Sequence, residues 1–245
     1  MRIYTQLFLV FLFTFKAAGQ QTEFGISLNS GLFSFRGPSA EKVSFLNISQ
    51  SPEATIYYTN NPYGSKNALL YGLSINVQRI TKKNIIFGTD LGYENLRSKI
   101  LIDKVFYSDD VNDKIITVSG ETIFSHSFIN LNPYVGYRII LNKYSLDFNT
   151  GFDLGYCFLA HEKSSIDTKN GFKDSNSKDR STIRFDFRPR IHSTLNYKNC
   201  GIYLAYSYGL VNYQSGYVGG INECYSRIIR FGLDYKFWYK TTKVN

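Results

Sequence analysis

The sequence predicts an all-β fold, an eight-stranded antiparallel up-and-down transmembrane β-barrel. Three observations carry this. Apolar and polar residues alternate in eight separate runs. The connections between those runs are long and short by turns. The chain is rich in aromatics, with 20 Tyr and 20 Phe in 245 residues, yet only 19% of it is charged and its mean hydropathy is −0.21. Abundant aromatic and β-branched residues exclude a disordered chain. Five prolines and no low-complexity run exclude a fibrous or linker-rich one.

Residues 1–20 read as a secretory signal peptide: Met1-Arg2, an apolar run from Leu7 to Phe15, then Lys16-Ala17-Ala18-Gly19 as a small-residue cleavage region. The run is too short for a bilayer-spanning helix, which needs about 20 apolar residues. Residues 21–245 are then one exported β-barrel domain. Without Arg2 and Lys16 the mature chain holds 26 basic and 19 acidic residues. That modest, dispersed excess on an exported chain argues against nucleic acid and favours anionic lipid headgroups or polysaccharide as partners.

No later segment has 18 consecutive apolar residues, so transmembrane helices are not expected. Strands are predicted at 23–36, 67–80, 85–98, 122–141, 144–160, 182–196, 201–213 and 226–240. In the second, Leu69, Tyr71, Leu73, Ile75 and Val77 share one face and Leu70, Gly72, Ser74, Asn76 and Gln78 the other. The third alternates Ile85, Phe87, Leu91 and Tyr93 with Gly88, Asp90, Gly92 and Glu94. Such runs exceed the usual strand of about five or six residues. They suit tilted membrane strands of about 9–11. Long connections near 37–66, 99–121 and 161–181 alternate with tight ones at Thr81–Lys83, Asn142-Lys143 and Tyr197–Cys200, and a medium loop spans 214–225. Long outer loops and short periplasmic turns are the pattern of membrane barrels.

A two-residue turn at Asn142-Lys143 fixes one register. Leu141 then faces Tyr144, Ile139 faces Leu146, Tyr137 faces Phe148, Val135 faces Thr150, Pro133 faces Phe152 and Leu131 faces Leu154. Arg138 faces Asp147 on the opposite side, with Gly136–Asn149, Tyr134–Gly151 and Asn132–Asp153. One assumption sorts an oily face from a polar one, and a slip by one residue would mix them.

The polar face carries the acids Asp90, Glu94, Asp147, Asp153, Asp186 and Asp234 and the bases Arg138, Arg184, Arg188, Arg190, Arg230 and Lys236. Buried charges persist only when paired. Eight strands leave an interior just wide enough for side chains to fill. The expected interior is therefore a plugged, charge-balanced network, with glycines such as Gly88 and Gly136 making room for Arg and Tyr. An ion path or ligand site on the Arg184–Arg190 ladder is the functional alternative. Tyr137, Tyr144, Phe237, Trp238 and Tyr239 cluster near turn ends, and Tyr71, Tyr93, Tyr156 and Phe158 near loop ends, as headgroup-level girdles would.

The signal segment, the eight alternating strands and the final strand Phe231-Gly-Leu-Asp-Tyr-Lys-Phe-Trp-Tyr239 resemble the small outer-membrane β-barrel superfamily. That aromatic strand resembles the signal read by the barrel-assembly machinery, although Lys240 to Asn245 follow it here. Asn61-Pro-Tyr-Gly-Ser65 and Leu131-Asn-Pro-Tyr-Val135 are similar to segments of PorT-type barrels, a group tied to a bacterial secretion system. The resemblance implies residence in the outer membrane, contact with outer-membrane lipid or lipopolysaccharide, and partners among outer-membrane or secretion-complex proteins.

No catalytic set, cofactor site or metal site is expected. His126 with Ser125 or Ser127 and Glu121 is the one candidate for a relay of nucleophile, base and orienting acid. It would mark a lipid-modifying hydrolase or acyltransferase, but neighbouring strand residues point to opposite faces. His192 reads as an interior hydrogen-bonding residue. Cys157, Cys200 and Cys224 show no metal-ligand spacing, and of their pairings Cys157–Cys224 is the conceivable one. The remaining functional surface is the loops. Tyr57, Tyr58, Tyr63, Phe106 and Tyr107 are the expected exposed contacts there. The leading reading is a non-catalytic structural or interaction protein, accessory to a surface or secretion complex. A lipid-modifying enzyme, a small pore and a soluble lipocalin-like barrel are the rivals.

Overall fold

A computed structural model describes residues 19–50, 55–109, 113–168, 173–217 and 221–241. Of the predicted signal peptide, all but Gly19 and Gln20 lies outside the described residues. Eleven strands form a single sheet: β1 (Gly19–Arg36), β2 (Val43–Gln50), β3 (Thr55–Thr59), β4 (Lys66–Thr81), β5 (Ile85–Ser108), β6 (Asp113–Leu141), β7 (Tyr144–Thr168), β8 (Lys173–Asp179), β9 (Phe185–Tyr197), β10 (Cys200–Tyr208) and β11 (Tyr225–Thr241).

Eight of them close a ring. Each of β1, β4, β5, β6, β7, β9, β10 and β11 pairs antiparallel with the next, and β11 returns to β1 from Gln21↔Thr241 to Arg36↔Tyr225. The predicted hairpin register is present as drawn, with Leu141↔Tyr144, Tyr137↔Phe148 and Arg138↔Asp147. Asn84, Asn142 and Lys198 take positive φ, one in each tight turn. Asparagine tolerates that conformation better than most residues.

The outside of the ring is apolar. Exposed side chains include Leu28 on β1, Ile75 on β4, Leu91 on β5, Val135 on β6, Phe152 on β7, Ile191 on β9, Leu204 on β10 and Leu233 on β11. A continuous belt of this kind greatly exceeds the apolar patches that soluble monomers tolerate. Hydrocarbon is its natural surroundings, and the closed ring satisfies the backbone groups that lipid cannot. The fold is an eight-stranded antiparallel transmembrane β-barrel. Tyr137, Tyr144, Phe237 and Trp238 stand on the outer wall at one end and Tyr71, Tyr156 and Phe158 at the other; the Tyr239 side chain lies outside the described residues.

β5, β6 and β7 are longer than the sequence suggested, β9 and β10 are shorter, and β2, β3 and β8 are additional. The upper halves of β5, β6 and β7 continue past the barrel mouth, and the predicted loops fold onto them. β2 pairs parallel with β5 (Val43↔Leu101 to Ser49↔Ser108), β3 pairs with β2, and β8 pairs with β7. The result is a second, six-stranded assembly of β3, β2, β5, β6, β7 and β8 above the barrel. Its core is Leu46, Ile100, Ile102, Val105, Val118 and Ile166, with Tyr57 and Tyr107 packed against them.

Candidate functional site

Two regions hold the polar and exposed groups on which a function could rest: the bore of the barrel and the head above it. The bore is built in layers. At the turn end, Arg138 donates from Nε and Nη2 to Asp147, each at 2.7 Å, and from Nη1 and Nη2 to Glu23 at 2.6 and 3.1 Å. Glu23 also meets Lys236 Nζ at 2.7 Å and accepts from Gln78 at 2.6 Å. Halfway up, fully buried Arg230 donates to Glu94 at 2.5 and 2.8 Å, to Asp153 at 3.0 Å and to Ser207 at 2.6 Å. Arg190 lies 3.4 Å from Asp153 and 3.7 Å from Asp90. Arg188 pairs with Asp186 at 3.3 Å and donates to Asn130 at 2.7 Å. Asn130 in turn donates to Glu94. The alternation of each strand puts these groups on one face, and pairing offsets the desolvation cost that each charge would otherwise carry.

Eleven of the twelve interior charges expected from the sequence face inward. Arg184 does not. It precedes β9, where the pleat has not begun, and both Arg184 and Phe185 are exposed. Only its backbone is engaged, accepting from the Cys157 N–H. Glu23 was missed, although Glu23-Phe24-Gly25-Ile26-Ser27-Leu28 alternates cleanly and puts it on the polar face. With Glu23 added and Arg184 removed, the described bore holds seven carboxylates against five cations, not an even balance.

The cavity in the middle of the bore is about 50 Å³, lined by Asp90, Asp234, Asn132, Asn149 and His192 among others, and a wider one of about 350 Å³ opens at the turn end beside Glu23, Arg138 and Lys236. The middle one has room for a few waters. Tyr134 fills the bore beside Gly88, where a Cβ would overlap its ring. His192 is inside as expected, 2.9 Å from Asn149 Nδ2 and edge-on to Tyr134.

The outer end of the bore is not polar. Phe33, Phe35, Leu70, Leu96, Phe124, Phe128 and Ile228 point inward and meet Tyr63 and Tyr213 from the loops above. His126 is buried among these rings, with centroid distances of 4.2 Å to Phe124, 5.5 Å to Phe35 and 5.8 Å to Tyr213. Its expected companions are occupied elsewhere. Ser125 donates to the His161 carbonyl, Ser127 accepts from Asn95, and Glu121 pairs with Lys99 at 3.1 Å. The structure does not bring them together as a relay. Cys157 and Cys224 join the same cluster as free thiols, and Cys200 is an exposed one.

The head corrects the expected loop contacts. Tyr63 is buried in the aromatic plug, and Tyr57 and Tyr107 pack inward against the head core. Burial, with Asp174 and Glu162 nearby, raises the Tyr57 phenol to about 12. Tyr107 donates to Gln50 at 2.5 Å. Tyr58 and Phe106 remain at the surface: Tyr58 lies under Lys178 and Arg180, and Phe106 is 38% exposed. Phe106 packs edge-on against Phe45 at 4.6 Å. Val43, Ile115 and Ile56 are exposed as well. By strand alternation Val43 and Phe45 share the outward face of β2, and Phe106 pairs with Ile115 across β5 and β6. The β2–β5–β6 sheet thus presents an apolar strip to water. The head is braced underneath by a polar belt. Glu162 accepts from Thr59 N–H at 2.7 Å and meets Arg180 at 3.3 Å, and Thr59, Thr122 and Ser164 link their hydroxyls. Asn176 donates to the Tyr57 carbonyl at 3.1 Å, bridging β8 to β3 through a side chain.

No family model matches the chain, and no curated protein matches it in sequence. Among solved structures it is similar to Ail, the attachment invasion locus protein of Yersinia pestis, solved with the heparin analogue sucrose octasulfate. Identity is 12%, coverage is 89% of this chain and 98% of that one, and the TM-score is 0.31. It is similar to Neisserial surface protein A, with 11% identity, 89% and 99% coverage and a TM-score of 0.37. It is also similar to the outer membrane protease OmpT of Escherichia coli, with 11% identity, 89% and 96% coverage and a TM-score of 0.35. At this level of superposition the likenesses carry no argument about function, and the fold rests on the strand pairing of the chain itself.

Proposed function

We propose that this chain is a non-catalytic outer-membrane protein, exported by residues 1–20, whose barrel anchors a rigid extracellular head for contact with another protein of a surface or secretion complex. The observation that carries this reading is the strip of Val43, Phe45, Phe106 and Ile115. It faces water on the head, not lipid on the barrel wall. Apolar groups left exposed on an ordered surface mark an interaction face. The paired charges that fill the middle of the bore, where the cavity is about 50 Å³, support an anchoring role over a conducting one.

A photo-reactive phenylalanine at Phe106 tests the reading in cells. The expected result is one discrete adduct, lost when Ile115→Asp is added while the barrel still shows heat-modifiable gel mobility. An adduct unaffected by Ile115→Asp, or no adduct at all, would overturn it.

A further inference from the structure

Two arginines stand on the lipid-facing wall at the outer edge of the apolar belt, and the bore network does not use them. Arg36 ends β1, and Arg227 lies two residue pairs away on β11, opposite Ser34 and Tyr208. The Arg36 guanidinium lies flat over the Tyr208 ring, 3.5 Å from its centroid, and 4.9 Å from that of Tyr225. One Nη2 of Arg36 donates to the Gly209 carbonyl at 2.7 Å, while its Nε is buried with no hydrogen-bond partner. Arg227 donates from Nη2 to Ser34 Oγ at 3.0 Å. Among the described residues no carboxylate lies within 4 Å of either guanidinium, although Glu223 is in the loop directly above. The bore arginines Arg138, Arg188, Arg190 and Arg230 are each ion-paired, whereas these two on the wall are not.

The wall below them is concave. Ile229, Tyr206, Leu204, Ile191, Phe148 and Val135 line a strip of about 790 Å³ that begins two residues beneath Arg227 on β11 and two beneath Tyr208 on β10. The headgroup level of a barrel lies where apolar side chains give way to Tyr and Arg. Guanidinium groups match phosphate oxygens with paired N–H donors. The geometry points to a lipid site. We propose that Arg36 and Arg227 together hold the phosphate of an anionic outer-leaflet lipid, with Tyr208 and Tyr225 fixing the Arg36 plane and an acyl chain lying in the strip below. The occupant is a membrane lipid, since the cationic pair and the apolar strip form one continuous surface.

The proposal rests on the membrane reading of the barrel, and its test separates the two. The full chain is refolded in zwitterionic detergent and titrated by native mass spectrometry with phosphatidylglycerol, lipid A, phosphatidylcholine or inorganic phosphate. Arg36→Gln, Arg227→Gln, the double variant and the control Arg184→Gln are compared. Each arginine near a charged lipid surface contributes on the order of a fivefold affinity gain. The expected result is preference for at least one of the two phosphate-bearing anionic lipids over phosphatidylcholine. That binding falls about fivefold in each single variant and about 25-fold in the double, with no change in Arg184→Gln. Equal affinity in the double variant and the parent would overturn the site, as would equal binding of phosphatidylcholine. Binding of inorganic phosphate at the same strength would overturn its assignment to a lipid. Heat-modifiable mobility is read for every variant, so failure of the barrel itself is seen separately from failure of the site.

Discussion

Replacing Arg230 by methionine removes the cation at the centre of the bore. Four hydrogen bonds go with it: two to Glu94, one to Asp153 and one to Ser207. The two acids are not affected equally. Asp153 keeps Arg190 at 3.4 Å, Arg188 at 3.7 Å and Ser207 at 2.8 Å. Glu94 keeps only the Asn130 amide among its hydrogen bonds. The destabilisation is therefore a stranded Glu94 carboxylate, and breaking a buried pair in this way costs about 3–5 kcal/mol. Glu94→Gln alone leaves Arg230 bonded to Asp153 and Ser207, at a cost of about 1.5–3 kcal/mol for one lost charged partner. The double variant strands neither charge, so its loss should be about 2–4 kcal/mol, short of the sum of the singles, with a coupling of about 3 kcal/mol between the midpoints of these ranges. Trp238, the single tryptophan, provides the signal: it stands on the outer wall edge-on to Phe24 at 4.9 Å and moves from lipid to water on unfolding. Urea unfolding in phosphatidylcholine vesicles, followed by Trp238 emission, gives all four free energies. Single losses that add to the double within about 0.5 kcal/mol would refute the reasoning, because independent sites behave that way.

Gly88→Ala should destabilise the barrel by about 1–3 kcal/mol through overlap with the Tyr134 ring, and Tyr134→Ala should abolish that cost in the double variant. The same urea series reads it. Glu162→Ala removes the acceptor of the Thr59 N–H and the partner of Arg180, so protease cleavage within the head should accelerate while the barrel keeps its heat-modifiable mobility. The unsatisfied groups set the loss at about 1–3 kcal/mol. A membrane-impermeant maleimide should label Cys200 in folded protein, and Cys157 and Cys224 only after denaturation, as their burial requires. Planar-bilayer recordings should show no stable conductance steps, since ion-paired side chains and Tyr134 fill the middle of the bore and leave a cavity of about 50 Å³ there.

The lower barrel was readable from the sequence because its strands carry unlike residues on their two faces. Around Asn142-Lys143 the apolar and polar sets separate under one register, and the observed pairs follow it. The upper barrel was not readable in the same way. Segments such as Leu32-Phe-Ser-Phe35 and Phe124-Ser-His-Ser-Phe128 place aromatics toward the bore, where a polar face was expected, and parity alone cannot distinguish a plug from a lipid contact. The head was hidden for a different reason. β8, Lys173–Asp179, contains no apolar residue, so it offers no hydrophobic period, and its pairing comes from β7 alone. β2 joins β5 in parallel across nearly sixty residues of chain, a contact that local pattern does not encode. Of the candidate residues, the charges followed from alternation. Arg184 was misplaced where the strand had not begun, and the loop tyrosines were misplaced because the loops are themselves folded.

The closing seam joins the first strand of the ring to the last, Gln21 to Thr241. A chain with this topology has no partial form that lipid can hold, since an open sheet presents two rows of unpaired N–H and C=O groups to hydrocarbon. The strand that completes the ring is also the last of the eight in chain order. Insertion is then a single event that waits for that strand. Contacts some two hundred residues apart are slow to form. Until the ring closes, the future lipid-facing belt is therefore an apolar surface with nothing to cover it, the kind of patch that associates with whatever it meets.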